Sequence, residues 1–401
     1  MADRPSMKDG LSELFRRTDN AAQAVDSGQE AVVKGRPYVT SITVVGIGGA
    51  GTNAVNRMVD SGVKGVEFIA VNTDVQQLEV CDADVKIHIG QEITHGLGGG
   101  ADPAVGRAAM EASRDQIKAA LRGADLVFVT AGEGGGTGTG GAPVVAAVAR
   151  EIGAVTIAIV TRPFNFEGNR RQRQAQEGIE VLRDVADTVI AIPNDRLLDV
   201  VERNTSVVEA FRHADDILRQ GVQGITDLIT VPGLINLDFA DVRTIVKDAG
   251  TALLGIGVAE GENRAQVAAD MAIRSPLLET SIDGAHGLLL NITGGSDVTL
   301  YEVNEAAGVI AQAADDDANI IFGAVVDERL EGRISITVVA TGFGDVARPA
   351  RLPVSDEQPR RPEPRRERPP ERAPRPSSAE SSGGDFDIPS FVHQPEDEKR
   401  W

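Results

Sequence analysis

Gly132-Glu133-Gly134-Gly135-Gly136-Thr137-Gly138-Thr139-Gly140-Gly141 is the stretch of sequence that decides the fold. It follows the apolar run 126–129, which predicts a buried strand, and precedes residues 142–149, which predict a helix with Pro143 in its first turn. A glycine loop in this setting presents backbone N–H groups to an anion, because no Cβ holds the anion away and the helix amino terminus carries partial positive charge. A flexible linker is the alternative, but seven glycines among ten residues between a strand and a helix favour a phosphate site.

A second glycine loop lies at residues 46–53, between a predicted strand at 42–45 and a helix from about 54 to 60. It has the form G-x-G-x-x-G of dinucleotide-binding sites, which is a weak signal by itself. Further strands are predicted near 66–71, 85–89, 155–160 and 188–192, with helices near 103–121 and 169–185. This alternation predicts an α/β fold with a doubly wound, mostly parallel sheet, and both glycine loops then lie beyond the carboxyl ends of strands.

The remaining sequence predicts a long central helix and a second, smaller α/β domain. Apolar residues recur at helical spacing over about 205–226, strands are predicted near 252–259, 287–293, 319–326 and 334–340, and helices near 263–274 and 302–313. Residues 348–376 carry nine arginines against five acidic residues and are rich in proline, which predicts a disordered linker. The predicted organisation is an N-terminal extension (1–38), a ligand-binding domain (39–204), the central helix (205–230), the second domain (231–346), the linker (347–384) and a C-terminal docking peptide (385–401).

Composition limits the partners and the compartment. The net charge of −20 argues against nucleic-acid binding and against direct docking on anionic lipid. No apolar run is long enough to cross a membrane and no signal peptide is recognisable, so we expect a cytoplasmic protein without membrane insertion. Cys81 stands alone, which excludes an intramolecular disulfide and predicts a buried thiol. Seven lysines against 33 arginines, with abundant acidic residues, suggest the hypothesis of a high-salt cytoplasm.

Two groups of side chains, one near the start of the predicted helix at 169–185 and one on the central helix, offer ligand chemistry. Glu167 and Arg171 lie four residues apart, where they can contact a ribose and a phosphate or simply pair with each other, and spacing leaves the two readings even. Phe211 can stack on a base or belong to the apolar face of the central helix. One turn later, Asp215 and Asp216 offer a carboxylate that can accept both N1–H and N2–H₂ of guanine.

A pair of carboxylates begins the predicted helix after the central one. Asp238 and Asp241 are three residues apart, so both can point one way and polarise a water molecule or hold a cation. Capping of the helix by Asp238 beside a solvated Asp241 has equal weight on spacing alone. We expect no protein metal site.

Several motifs together resemble one family. Residues 135–140, GGTGTG, match the signature of the tubulin/FtsZ family, which is highly specific. Stretches 70–74, 162–168, 192–195 and 236–243 are similar to FtsZ in order and spacing, and the resemblance covers about 40–345. Residues 387–391 resemble the FtsZ C-terminal peptide, so this chain is more similar to FtsZ than to tubulin. With the acid-rich composition, an archaeal member is expected, and a haloarchaeal source is a hypothesis.

The resemblance implies a site for GTP or GDP with Mg²⁺, and a role for each matching residue. The implied nucleotide contacts in the two glycine loops are Gly48, Gly49, Ala50, Gly51, Thr52, Asn53, Gly135, Gly136, Thr137, Gly138, Thr139 and Gly140. Asn72 and Asp74 belong to the same implied site, Glu167 takes the ribose, Arg171 a phosphate, and Asn194, Phe211 and Asp216 the guanine, with Asp215 a second contact. Asp238 and Asp241 are implied to act on the GTP of the next subunit in a head-to-tail homopolymer.

The implied function is a polymerising GTPase of cell division at the mid-cell ring. Implied partners are the chain itself, an FtsZ paralogue, and a membrane-anchoring adaptor that binds Asp385–Val392. One alternative is an NAD-dependent oxidoreductase, which rests on residues 46–51 and an acidic residue, Asp74, at a suitable distance. The other is a non-catalytic GTP-binding regulator, against which the intact Asp238 and Asp241 argue.

Overall fold

The computed structural model describes residues 40–343, apart from 200, 203, 279 and 316. The predicted N-terminal extension (1–38), linker (347–384) and docking peptide (385–401) lie outside the described residues. Strands and helices alternate as follows: β1 (Ile42–Ile47), α1 (Gly48–Asp60), β2 (Val66–Asn72), α2 (Val75–Glu79), β3 (Val85–His88), α3 (Gln91–Thr94), α4 (Pro103–Ala112), α5 (Arg114–Ala120), β4 (Leu126–Gly132), α6 (Thr137–Glu151), β5 (Val155–Arg162), α7 (Asn169–Val185), β6 (Thr188–Pro193), α8 (Val207–Thr230), α9 (Phe239–Val246), β7 (Gly250–Glu260), α10 (Arg264–Ile273), β8 (Gly287–Gly294), α11 (Leu300–Ala313), β9 (Asn319–Val326) and β10 (Arg333–Thr341).

The ten strands of the described residues form one sheet, in the order β3-β2-β1-β4-β5-β6-β7-β10-β8-β9. Every pairing is parallel except those of β10, which runs antiparallel to both of its neighbours. The strand order reverses between β1 and β4, which is where open α/β sheets bind ligands beyond the carboxyl ends of their strands. The predicted doubly wound, mostly parallel sheet is confirmed.

Helices cover both faces of the first six strands. Ala54, Val55 and Met58 of α1 join Leu218 and Val222 of α8 in the core on one face. The core on the other face contains Met110 of α4, Val145 of α6 and Ile179 of α7. The resulting three layers hold the loops at the carboxyl edge of the sheet between rigid elements.

The predicted second α/β region is present and has its own core, formed by α10, α11 and strands β7–β10. Its sheet is not separate, however, because β7 pairs with β6 through residues 188–190 and 250–252. The two regions therefore share one continuous sheet.

The long helix α8 connects the two edges of the sheet. Its 24 residues correspond to about 36 Å. Ser206 and Glu209 form a capping box at its start. At its end Thr230 lies against Gly65, where a Cβ would come within 2.8 Å of Thr230 Cγ2, and Gly65 precedes the amino end of β2. The helix thus ends at the amino edge of the parallel strands.

Three predicted helix boundaries differ from the structure. Helix α1 begins at Gly48 rather than about residue 54, because the glycines form its first turn instead of a loop before it. Likewise α6 begins at Thr137, so Pro143 lies inside the helix and not in its first turn. The hydrogen bond from residue 143 to the Thr139 carbonyl is therefore missing. The predicted helix at 103–121 is two helices, which meet at Ser113 in a non-helical conformation.

Two further expectations concern burial and the membrane. The Cys81 side chain is buried, with Sγ 3.9 Å from the Thr52 carbonyl oxygen, as predicted. Within the part of the chain that the structure describes, no helix combines the length and the apolar character needed to span a bilayer.

Candidate functional site

Two helix amino termini meet at the point where the strand order reverses. Helix α1 follows β1 directly and α6 follows β4, and these two strands are paired in parallel. The N–H groups in the first turn of each helix have no acceptor within the helix. A Cβ on Gly48 would lie 3.0 Å from Gly138 N, so the two turns are in contact. The structure brings together the predicted glycine-loop contacts at 48–53 and 135–140 and forms an anion-binding cradle between them.

Glycine is required at several positions of this cradle because backbone lies where a side chain would be. A Cβ on Gly51 would be 2.5 Å from Thr130 O, and one on Gly138 would be 2.7 Å from Gly132 O. By contrast, a Cβ on Gly135 would meet nothing within 4 Å. Backbone atoms therefore pack closely against Gly51 and Gly138, whereas the space beside Gly135 is open.

Helix α4 supports the cradle through Gly106, which was not predicted as a site residue from the sequence. A Cβ on Gly106 of α4 would lie 2.1 Å from Gly136 O, and one on Gly140 of α6 would lie 2.1 Å from Pro103 O. The two backbones touch without any intervening side chain. This contact fixes the first turn of α6 against α4.

The threonine hydroxyls of the cradle mostly hold its shape. Thr52 Oγ1 donates to the carbonyls of the first turn of α1, at 2.9 and 3.0 Å. Thr139 Oγ1 accepts from Gly134 N at 2.8 Å. Thr137 Oγ1 lies 2.7 Å from the hydroxyl of Thr73, a residue that the sequence reading also missed. Thr137 thus links the first turn of α6 to the loop after β2, whereas Thr52 and Thr139 stabilise their own turns.

Asn72 and Asp74 use their side chains inside the protein. Asn72 Nδ2 donates to Gln77 Oε1 at 2.9 Å, and its Oδ1 accepts from Thr73 N at 2.9 Å. Asp74 Oδ1 caps α2 by accepting from Gln76 N at 2.9 Å. Both side chains therefore shape the loop after β2, which borders the cradle.

Glu167 and Arg171 form the ion pair that spacing allowed as one of two readings. The distance between Glu167 Oε2 and Arg171 Nη1 is 2.5 Å. They do not share one helix: Glu167 ends a 3₁₀ turn, Arg171 belongs to α7, and Gly168 between them has a φ of 98°. The Arg171 side chain is half exposed beside Gly134, whose Cβ would lie 2.7 Å from Arg171 O. The pair lies at the rim of the cradle.

Phe211 and Asp215, two of the residues with an implied guanine contact, line one cavity next to the cradle. A cavity of about 470 Å³ is lined by Asn53 of α1 and by Phe211 and Asp215 of α8. Asn194 is buried, and its Oδ1 has no hydrogen-bond partner among the described residues. Phe211 contacts Phe164 edge to face, with ring centroids 5.4 Å apart.

The two aspartates of α8, both with an implied guanine contact, lie in different surroundings. Asp215 faces α1, where Arg57 Nε lies 3.5 Å from its Oδ2. Asp216 instead pairs with Arg219 at 2.7 Å and lines a different cavity, of about 1100 Å³, beside α10. Successive side chains on a helix point about 100° apart, so the two carboxylates face different cavities. Asp215 therefore lies with Phe211 at the smaller cavity, and Asp216 lies at the larger one.

The environment of Asp215 changes its titration. Burial raises the pKa of Asp215 to about 6, while the nearby Arg57 guanidinium opposes the rise. The carboxylate is therefore ionised at neutral pH and becomes protonated in mildly acidic solution.

Asp238 and Asp241 form a capping box at the start of α9. Asp238 Oδ1 accepts from Asp241 N at 3.0 Å, and Asp241 Oδ2 accepts from Asp238 N at 3.3 Å. The prediction that Asp238 caps the helix is thus confirmed by its hydrogen bond to Asp241 N. Asp238 is nevertheless exposed and Asp241 half-buried, so carboxylate oxygens remain accessible to solvent.

Helix α9 lies at the edge of the sheet opposite the cradle. The chain reaches α9 from the end of α8, where Thr230 packs on Gly65 just before β2. The carbonyl of Val246, its last residue, accepts from Thr188 Oγ1 at the amino end of β6. Since parallel strands run from this edge to the cradle, Asp238 and Asp241 are separated from the cradle of their own chain by the height of the sheet.

Glu133 is a buried acid in the glycine run that the sequence reading did not assign. Its side chain is buried, and neither carboxyl oxygen has a hydrogen-bond partner within the described ranges. Burial raises the pKa of Glu133 to about 8, against a smaller lowering by the Thr139 hydroxyl.

Comparison with known proteins identifies the family. A family model described as the GTPase domain of the tubulin/FtsZ family matches residues 41–202, and the C-terminal domain of the FtsZ family matches residues 250–344. An empty FtsZ dimer from M. jannaschii is 43% identical, with a TM-score of 0.74 over 81% of this chain and 92% of that chain. A GTPγS-bound protofilament of CetZ2 from Haloferax volcanii shares the fold, at 24% identity and a TM-score of 0.63 over 76% of this chain and 94% of that chain.

These matches confirm the resemblance drawn from the motifs, and the M. jannaschii relative agrees with the expected archaeal source. They also exclude the oxidoreductase alternative, since the matched nucleotide domain is that of a GTPase. The chain is a cytoskeletal GTPase that belongs to the tubulin/FtsZ family, and within that family it belongs with FtsZ.

Proposed function

We propose that this chain polymerises head to tail during cell division and hydrolyses GTP only where two subunits meet. The cradle of one subunit binds the triphosphate, and Asp238 and Asp241 of the next subunit act on it. The observation that supports this most strongly is the position of α9 at the edge of the sheet opposite the cradle. Asp238 and Asp241 at that edge are too far from the nucleotide of their own subunit to act on it, but a neighbouring subunit can reach them.

The cradle binds and positions the triphosphate. First-turn N–H groups of α1 and α6 donate to phosphate oxygens, and Arg171 at the rim pairs with a phosphate. Mg²⁺ would enter with the phosphates, whose charge it neutralises. Such an ion is usually held by the phosphates, water and one or two protein oxygens.

The incoming Asp238 and Asp241 orient and polarise the attacking water. Their capping box holds both side chains in place before the subunits meet, so little conformational freedom is lost on assembly. The open heterologous contact repeats along one axis and gives a filament. The relatives described as a dimer and as a protofilament support self-association.

Phosphate release measured against protein concentration tests the proposal. Specific activity should be near zero at low concentration and rise above a threshold at which filaments begin to sediment. Specific activity that does not depend on concentration, with no sedimentable polymer, would contradict a site shared between subunits. A regulator that binds GTP without catalysis would bind the nucleotide and release no phosphate at any concentration.

Asp215→Asn should lower GTP affinity by about tenfold or more, because an amide cannot accept from both guanine N–H groups. The same variant should lose the preference for GTP over ITP, which lacks the exocyclic amine. Wild-type affinity should fall as the pH drops below about 6, where Asp215 becomes protonated, following its raised pKa.

The matched control for this prediction is Asp216→Asn, one residue further along α8. It should bind GTP like the wild type, since Asp216 lines the other cavity. A larger loss of GTP affinity in Asp216→Asn than in Asp215→Asn would identify Asp216 as the main guanine contact.

The cellular role remains a prediction carried by the family. We propose a cytoplasmic protein at the mid-cell ring, anchored by an adaptor that binds residues 385–392, with an FtsZ paralogue as a further partner. Deletion of 385–401 should spare GTPase activity and abolish recruitment of the protein to the membrane ring. Normal recruitment of the truncated chain to the ring would contradict an adaptor that binds residues 385–392.

A further inference from the structure

Glu133 occupies a closed space directly beneath the cradle. Its backbone N–H donates to Thr161 O of β5 at 2.9 Å, and its side chain points between α6 and α7. On α7 the facing residue is Gly178, where a Cβ would lie 2.6 Å from Glu133 Oε2 and 2.4 Å from Thr139 Cγ2. The space that a side chain at 178 would need is filled by the Glu133 carboxyl.

Among the described residues, the groups shown against this carboxyl are uncharged. On α6 the neighbour is Thr139, whose hydroxyl accepts from Gly134 N, and on α7 it is Gly178. The rim arginine, Arg171, pairs with Glu167. The pKa of Glu133 is set by burial and by the Thr139 hydroxyl, with no charged group of β5, α6 or α7 contributing.

An ionised Glu133 would oppose the binding of phosphate in two ways. It would place a negative charge beside the amino terminus of α6, and so cancel part of the positive potential that this terminus offers to an anion. In a poorly solvated interior it would also repel the triphosphate directly. A protonated Glu133 does neither and packs as a neutral side chain.

We propose that Glu133 is a positioning residue that couples triphosphate binding to a proton, because the cradle accepts the triphosphate fully only while the Glu133 carboxyl is protonated. Binding of the triphosphate favours the protonated acid, so the complex takes up a proton in weakly alkaline solution. This inference rests on the proposed phosphate cradle. It adds a pH dependence that the cradle alone does not require.

The test compares the wild-type chain with Glu133→Gln, which keeps the shape of the side chain and cannot ionise. Affinity for a non-hydrolysable GTP analogue should fall by about tenfold between about pH 7 and about pH 9.5 in the wild type, and much less in the variant. Titration of the nucleotide itself affects both proteins equally. Calorimetry in buffers of different ionisation enthalpy should detect proton uptake at about pH 8.5 for the wild type and none for Glu133→Gln.

Glu177→Gln is the matched control, because Glu177 is an exposed acid on the same helix, one residue before Gly178. It should keep the wild-type pH profile and the wild-type proton uptake. Equal pH profiles and equal proton uptake for wild type and Glu133→Gln, with tight binding at about pH 7, would overturn the inference and leave the cradle intact. Absence of GTP binding by the wild type at about pH 7 would contradict the cradle as well.

Discussion

Asp241→Asn should bind GTP and form filaments like the wild type while its GTP turnover falls by about 100-fold or more, because a preorganised charged group at a developing transition state is worth this much. Asparagine can still accept the hydrogen bond from Asp238 N, so the capping box of α9 survives the change. The loss is then one of charge and not of folding. Phosphate release, nucleotide binding and sedimentation on the same sample check the prediction.

Asp241→Ala complements this test, since it removes both the charge and the cap. It should lose turnover equally and melt at a lower temperature, by an amount that fits about 1 kcal/mol for a lost cap. Glu262→Gln, at an exposed turn of the same half of the chain, should change neither property. Wild-type turnover in Asp241→Asn would remove this aspartate from the mechanism.

Gly106→Ala should destabilise the fold by about 1–3 kcal/mol and weaken GTP binding by more than tenfold, because the added methyl would lie 2.1 Å from Gly136 O and must push α4 away from the cradle. The affected carbonyl belongs to the turn that donates to the phosphates. Chemical denaturation and nucleotide titration measure the two effects.

Gly308→Ala is the control for this substitution. Gly308 lies inside α11, and a Cβ there meets nothing within 4 Å. Alanine should therefore stabilise the chain by about 0.5–1 kcal/mol through helix propensity, with GTP binding unchanged. If Gly106→Ala behaved like Gly308→Ala, the α4–α6 contact would not control the cradle.

The glycine loops and strands were predictable because parallel strands deliver their carboxyl ends to one edge of a sheet. Glycine in the run 132–141 and apolar residues in β4 and β5 specify that arrangement locally. Burial of Cys81 followed in the same way from its place beside a strand. These are properties of short segments and do not depend on which helices meet later.

The missed features all depend on contacts between distant segments. The choice between Asp215 and Asp216 is set by how α8 rotates against α1, which puts Arg57 beside only one of them. Gly106 matters because α4 touches α6, and Glu133 because Gly178 of α7 leaves room for it. Spacing along the chain does not indicate any of these three contacts. The one hint in the sequence is that Glu133 is an acid inside a glycine run.

The most direct test of the shared site is phosphate release from a mixture of two variants that are each inactive alone. Asp241→Asn supplies an intact cradle without its catalytic charge, and Phe211→Ala, at a GTP concentration too low to fill its weakened site, supplies intact aspartates. Co-sedimentation verifies that the two chains assemble together. We expect the mixture to recover turnover, because the aspartates of one chain reach the GTP of the other; mixed filaments that remain inactive would contradict a site shared between subunits.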